Sequence, residues 1–153
     1  MKIMQIIIIR HRRENLKKCS LRGLEGREGL SFFRYPCVVK PPIQNSLILD
    51  FEGKELSSED SGKPILLLDA TWRHAEGMRK WAIAQPGIEK RSLPPHLRTA
   101  YPRRQNDCHE PDRGLASIEA LYIVFKILGY NAEGILDHYH WREKFIDENC
   151  IND

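Results

Sequence analysis

A carboxylate follows a short apolar run near the middle of the chain. Residues 65–68 read Ile-Leu-Leu-Leu, and Asp69 comes directly after them, with Thr71 and Trp72 close behind. If the apolar run is a strand of a parallel sheet, Asp69 lies at its carboxyl end, where open α/β sheets bind ligands. The structural alternative is that Asp69 or Thr71 caps the next helix while Trp72 fills the core. The position therefore predicts either a reacting carboxylate or a helix cap.

A second candidate site is the start of a helix after residue 114. Gly114 is followed by small side chains and then by Ser117 and Glu119. Free amide groups and the positive end of a helix suit a carboxylate or a phosphate. Both Ser117 and Glu119 have a structural alternative, because an acid on the first turn stabilises the helix by itself. For Glu119 helix stabilisation is the favoured interpretation.

Residues 94–114 contain four prolines and no apolar periodicity, which is typical of a functional loop. An aromatic side chain lies among cations there, and the candidates for RNA binding are Arg98, Tyr101, Arg103 and Arg104. Such loops bind RNA by pairing with phosphates and stacking on bases. A solvated surface loop has the same composition, so that alternative stays open.

The charge distribution permits a polyanionic partner. The formal net charge is +3, and residues 10–40 contain nine basic side chains against three acidic ones. Even a modest basic patch can supply phosphate contacts, although a total of this size does not require a nucleic acid.

The four cysteines predict free thiols rather than a metal site. Cys19, Cys37, Cys108 and Cys150 lie far apart, without the close pairs that structural zinc sites usually use. A metal-binding adaptor would need the first three of them to converge with His109, so we expect no metal. Free thiols indicate a reducing compartment, and the apolar run at residues 3–9 is too short to cross a membrane. We expect a cytoplasmic chain without membrane contact.

Apolar patterning predicts the elements that position these candidates. Continuous apolar runs indicate strands, and apolar residues at spacings of three and four indicate helices. The expected strands cover residues 6–9, 46–51, 65–68 and 88–93, and the expected helices cover 72–84, 115–128 and 132–149. Strands that alternate with helices predict an α/β fold with a largely parallel sheet.

Residues 69–72, Asp-Ala-Thr-Trp, resemble the D-x-T/S-W signature of the DTW-domain proteins. The resemblance extends in the correct order over nearly the whole chain, toward the branch of ribosomal RNA aminocarboxypropyltransferases. The segments that carry it are residues 17–20, 47–51, 56–60, 91–94, 115–120, 127–129 and 140–149.

That resemblance implies a fold similar to the SPOUT methyltransferases, in which a C-terminal trefoil knot holds the cofactor. It implies one compact unit over residues 1–153, with an N-terminal α/β part at 1–63 and a SPOUT-like cofactor-binding part at 64–153. The implied cofactor is S-adenosylmethionine (SAM), and Asp69 is expected near the reacting centre as the catalytic residue. The implied cofactor contacts are Ser20, Ile65, Trp72, Leu93, Arg113 and Ser117, with Trp72 as a wall of the pocket.

The implied activity transfers the 3-amino-3-carboxypropyl group of SAM to a uridine-type base in RNA. Ribosomal RNA is favoured as the substrate and tRNA is the second choice, and no protein partner is evident. A SPOUT-type RNA methyltransferase and a non-enzymatic RNA-binding module remain the alternatives. The methyltransferase would release S-adenosylhomocysteine, whereas the aminocarboxypropyl transfer releases methylthioadenosine.

Overall fold

A computed structural model describes residues 4–13, 20–37, 40–102 and 114–151. The strands in these ranges are β1 (Ile6–His11), β2 (Leu30–Tyr35), β3 (Leu47–Glu55), β4 (Ile65–Asp69) and β5 (Glu89–Ser92). The α-helices are α1 (Trp72–Ile83), α2 (Ser117–Leu128) and α3 (Arg142–Glu148), and Ser58–Asp60 form one 3-10 turn. Among these helices none is long and apolar enough to cross a membrane.

The five strands form one parallel sheet in the order β2-β1-β4-β3-β5. The first four residues of β1 and the first four of β4 are apolar, because a parallel sheet is covered on both faces. Ile6 to Ile9 of β1, for example, are all buried. The predicted α/β fold with a largely parallel sheet is therefore confirmed, and β4 lies at its centre, between strands that come from the first 63 residues.

Successive side chains of the strands point to opposite faces, so the sheet divides the core into two clusters. On one face Ile7, Ile9 and Leu66 pack with Met78 and Ala82 of α1. On the other face Ile6, Ile8 and Ile65 belong to the larger cluster, which also includes most of α2 and Phe145 of α3. The helices thus cover the two faces of the sheet, and both α1 and α2 begin at its carboxyl edge, since α1 follows β4 directly and Ser117 of α2 bonds the last residue of β4.

The structure differs from the sequence-based expectation at two elements. Strand β2 was not predicted, because its sequence Leu-Ser-Phe-Phe-Arg-Tyr mixes polar and apolar residues, as suits a strand at the edge of the sheet. The last helix was expected over residues 132–149 but spans only Arg142–Glu148. Gly134 has a φ of +85°, which no right-handed helix accommodates, and Ile135, Leu136 and Tyr139 reach the core from turns instead.

A buried ion pair joins the 3-10 turn to β5. Arg91 Nε lies 3.3 Å from Asp60 Oδ2, and the two residues are 5% and 2% exposed. Burial alone would raise the pKa of Asp60. Hydrogen bonds from the Ser57 backbone and from Lys63, with the charge of Arg91, lower the pKa of Asp60 below its ordinary value instead. The pair fixes the path of the chain just before Leu93, which lies one residue beyond β5.

We predict that Asp60→Ala lowers the free energy of unfolding at pH 7 by about 3 kcal/mol, because Arg91 loses its buried partner. That is the low end of the usual range, since Glu89 still accepts a hydrogen bond from Arg91. A depressed carboxyl pKa stabilises the fold above the unfolded-state pKa, so the difference between wild type and variant should shrink below about pH 4. Urea unfolding at several pH values measures this. The control is Glu59→Ala at the neighbouring exposed position, which should change the free energy of unfolding by no more than about 0.5 kcal/mol. Equal losses in the two variants would show that the Asp60–Arg91 ion pair does not stabilise the fold.

Candidate functional site

A cleft of about 730 Å³ opens at the carboxyl edge of the sheet, between α1 and α2. Its apolar wall is formed mainly by leucines, namely Leu49, Leu67, Leu93, Leu97 and Leu115. The cleft lies where open α/β sheets bind ligands, and its volume is typical of pockets for small molecules. Ser117 supplies a hydroxyl to this wall.

Asp69 joins three elements immediately behind the cleft. It is the last residue of β4 and is 4% exposed, while its neighbours Leu68 and Ala70 line the cleft. Asp69 Oδ1 accepts a hydrogen bond of 2.7 Å from the Ser117 hydroxyl at the start of α2. Asp69 Oδ2 accepts one of 3.2 Å from Arg10 Nε of β1. Both carboxylate oxygens are therefore engaged by groups that the fold brings from distant parts of the chain.

The expectation that Asp69 or Thr71 caps α1 through its side chain is not met by Thr71. Thr71 occupies the N-cap position, but its side chain makes no capping hydrogen bond. Its backbone carbonyl accepts the amide hydrogens of His74 and Ala75 instead. Asp69 bonds Arg10 and Ser117, and so joins β1 and the start of α2 to the end of β4.

Glu119 crosslinks the segments that surround the cleft. It is fully buried and accepts four hydrogen bonds from described residues. Its Oε1 accepts from the Thr99 hydroxyl at 2.6 Å and the Ala116 amide at 2.8 Å, and its Oε2 from the Ala100 amide at 2.8 Å and the Tyr139 hydroxyl at 2.9 Å. Sequence reasoning gave Glu119 only a local role on its helix, because no signal along the chain identifies partners at residues 99, 100 and 139.

Ser20 also contributes to the start of α2. The amide of Ile118 donates to Ser20 Oγ at 3.2 Å. The first amides of a helix have no partner within the helix, so Ser20 supplies a cap from a remote part of the sequence. The structure thus brings Ser20, Asp69 and Ser117 together at one helix end, and it places Leu93 and Ser117 on the wall of the cleft.

The structure does not bring Ile65 to the cleft. Ile65 is the first residue of β4 and is fully buried, opposite Ile6 and Leu47 in the sheet. Four residues of strand, roughly 13 Å, separate it from Asp69. Trp72 is the first residue of α1, and the position of its side chain lies outside what the structure describes. Arg113 also lies outside the described residues.

The candidate RNA-binding residues are only partly described. Arg98 is exposed, and its guanidinium donates to the carbonyls of Pro95 and Leu97, while its backbone pairs with the side chain of Asn149. Tyr101 is 37% exposed. Arg103 and Arg104 lie outside the described residues, as do Cys19, Cys108 and His109 of the metal-binding alternative. Within the described ranges, no cluster of three or more His, Cys, Asp or Glu side chains is arranged to hold a metal ion.

A charged wall of the cleft was missed by the sequence analysis. Arg79 of α1 donates two hydrogen bonds of 3.0 Å to the carboxylate of Asp50, and these bonds are the first cause of the raised pKa of Arg79. Asp50 lies in β3 where the register shifts between residues 49 and 54, an irregularity of the kind that redirects side chains. Arg73 lines the same cleft and, within the part of the chain that is described, has no acidic partner.

The chain is similar in fold to a protein of known structure. No protein-family model matches the sequence, and no curated protein matches it. Among solved structures, the chain is similar to the SAM-dependent rRNA:acp-transferase Tsr3 from Vulcanisaeta distributa, with a TM-score of 0.71 and 22% sequence identity. The match covers 97% of this chain and 79% of that one. At this identity the likeness shows a shared fold.

We predict that Glu119→Gln lowers the free energy of unfolding by about 2–6 kcal/mol. The amide keeps one acceptor oxygen, so two of the four donors lose their partner, at about 1–3 kcal/mol for each buried group. Chemical unfolding measures the loss. Tyr139→Phe, which removes one donor and leaves the carboxylate with three, should cost only about 1 kcal/mol. A Gln variant as stable as the Phe variant would show that the carboxylate is not the crosslink.

Proposed function

We propose that this chain transfers the 3-amino-3-carboxypropyl group of SAM to a uridine-type base in RNA. Ribosomal RNA is the favoured substrate, with tRNA as the second choice. The observation that carries the proposal is the likeness of fold over 97% of the chain to a SAM-dependent rRNA:acp-transferase. The proposal includes membership of the DTW-domain proteins, a C-terminal trefoil knot, the division at residues 63 and 64, and a place in the cytoplasm.

The size and the lining of the cleft support SAM as the cofactor. Its volume of about 730 Å³ suits a nucleoside with an amino-acid arm, and its leucine wall suits an adenine ring. We assign Leu93 and Ser117 to direct contact with SAM and Ser20 to the support of the α2 start, and Trp72 and Arg113 stay predicted cofactor contacts. When bound, SAM supplies an electrophilic carbon beside its sulfonium. The apolar walls exclude water, which favours a step that removes positive charge from the sulfur.

The Asp69–Ser117 pair is the group that we propose handles the proton of the acceptor base. A uridine-type imino nitrogen is a poor nucleophile until its proton is removed, and a positioned carboxylate is the usual acceptor. Because the Ser117 hydroxyl donates to Asp69, its lone pairs are free to accept a hydrogen bond from a group in the cleft. Asp69 would then receive the proton through Ser117, while Arg10 holds the carboxylate in place. The other possible role for Asp69 is to anchor the ammonium of SAM by the same route.

The direct test of this function is the identity of the small-molecule product. We expect the purified protein, incubated with SAM and RNA that lacks the modification, to release methylthioadenosine in an RNA-dependent manner, as detected by mass spectrometry. Release of S-adenosylhomocysteine would instead identify a methyltransferase with the same cleft. If RNA binds and neither product forms, the chain is an RNA-binding module and the proposal fails.

We expect Asp69→Asn to slow single-turnover release of methylthioadenosine by about 100- to 10,000-fold, the usual contribution of a general base. Ser117→Ala should give a similar loss if the proton passes through the hydroxyl. Calorimetry with SAM separates the two roles of Asp69, because only an ammonium anchor predicts weaker SAM binding. Asp147→Asn on the exposed face of α3 is the control for the charge change and should retain full activity. Rates are compared below the melting temperature of each variant, and full activity in Asp69→Asn would remove Asp69 from the mechanism.

A further inference from the structure

A row of aromatic side chains lies at the carboxyl ends of β1 and β2, outside the cleft. The rings of His11 and His74 are stacked, with centroids 4.0 Å apart and planes only 8° from parallel. Tyr35 lies 5.9 Å from His11 and continues the row toward Trp81 at 5.3 Å. All four side chains are half-buried, so each ring keeps part of its surface open to solvent. None of these contacts is needed for the cleft described above.

Two cations extend the aromatic row. Arg12 and Arg13 follow His11 directly and are exposed, and neither has an acidic partner among the residues that the structure describes. Burial, the charge of His74 and the charges of Arg12 and Arg13 lower the pKa of His11, in that order of importance. The lowered pKa reduces the positive charge of His11, and so reduces its repulsion with the neighbouring cations. We call His11, Arg12, Arg13, Tyr35 and His74 the histidine surface.

The histidine surface adjoins the candidate site on two elements. On β1, His11 is the next residue after Arg10, which pairs with Asp69. On α1, His74 is the next residue after Arg73, which lines the cleft. A polymeric ligand that places one of its monomers in the cleft therefore brings the neighbouring monomers close to the histidine surface.

We infer that the histidine surface binds single-stranded RNA next to the nucleotide that enters the cleft. This inference rests on the proposed function, because it takes RNA as the substrate. Stacked, partly exposed rings offer π-faces to unpaired bases whatever their sequence, and the exposed guanidinium groups of Arg12 and Arg13 offer charge to the phosphates. The combination of exposed cations and partly exposed rings fits a flexible polyanion with aromatic units better than an apolar protein partner.

The test measures binding of an unstructured 12-nucleotide RNA by fluorescence anisotropy at several salt concentrations. His74→Ala should weaken binding by about 5- to 100-fold, the usual effect of losing one stacked base, and should leave the salt dependence unchanged. The double change Arg12→Ala and Arg13→Ala should flatten the slope of log K against log salt by about 1.4, or 0.7 for each lost phosphate contact. SAM affinity should stay the same in all of these variants.

Two further variants separate stacking from general effects. His74→Phe keeps an aromatic face on α1 and should retain RNA affinity, and unchanged SAM affinity in His74→Ala shows that the Ala variant is folded. His140→Ala removes an exposed histidine that packs on Trp141 beside α3, on the other face of the sheet, and should bind RNA like wild type. Unchanged RNA affinity in His74→Ala, or an equal loss of affinity in His140→Ala, would contradict RNA binding by the histidine surface.

Product formation distinguishes this inference from the proposed function. If wild type releases methylthioadenosine with RNA while His74→Ala binds RNA as well as wild type, RNA binding by the histidine surface is contradicted and the proposed transferase activity is supported. If wild type binds RNA through the histidine surface but forms no methylthioadenosine, RNA binding by this surface is supported and the proposed transferase activity is contradicted. Absence of any RNA binding by wild type overturns both.

Discussion

The cleft depends on the burial of Glu119. Removing a carboxylate from water costs several kcal/mol, so the fold retains one only where hydrogen-bond donors surround it. Here the donors come from Thr99, Ala100, Ala116 and Tyr139, which belong to three separate segments. The same carboxylate therefore holds together the segment at residues 99–100, the start of α2 and the turns before α3. Any arrangement of these segments that leaves a donor or an oxygen unpaired is penalised.

Asp69 is a second buried carboxylate, and it lies beside the cleft. It also joins separate elements, since Arg10 comes from β1 and Ser117 from α2. Its hydrogen bond from Ser117 links it to a residue that lines the cleft, whereas the partners of Glu119 hold the surrounding segments together. Glu119 orients α2, and that orientation decides where the Ser117 hydroxyl lies. Glu119 thus positions the start of α2, and Asp69 is the carboxylate that the proposed function uses.

Parallel strands explain why so many polar groups meet at one edge. β1, β2 and β4 all end at the same side of the sheet, and their last residues are His11, Tyr35 and Asp69. The alternation of side chains sends Asp69 and Arg10 toward α2, and His11 and Tyr35 toward α1. The proposed reaction site and the histidine surface therefore lie on the two faces of one sheet edge, and the first turn of α1 contributes one residue to each, Arg73 to the cleft and His74 to the surface.

The sequence by itself determined the sheet core and two of the helices. The apolar runs at β1 and β4 can be buried only between two layers, and the three-and-four spacing in α2 allows only a helix; Asp69 at the end of β4 follows from these runs. Tertiary structure decided which partners Asp69 meets, because Arg10 and Ser117 lie 59 and 48 residues away along the chain. It also buried Ile65 away from the cleft and turned Glu119 from a helix-stabilising acid into a crosslink. Periodicity reports only which face of an element is buried, whereas hydrogen bonds between remote side chains depend on how the elements pack.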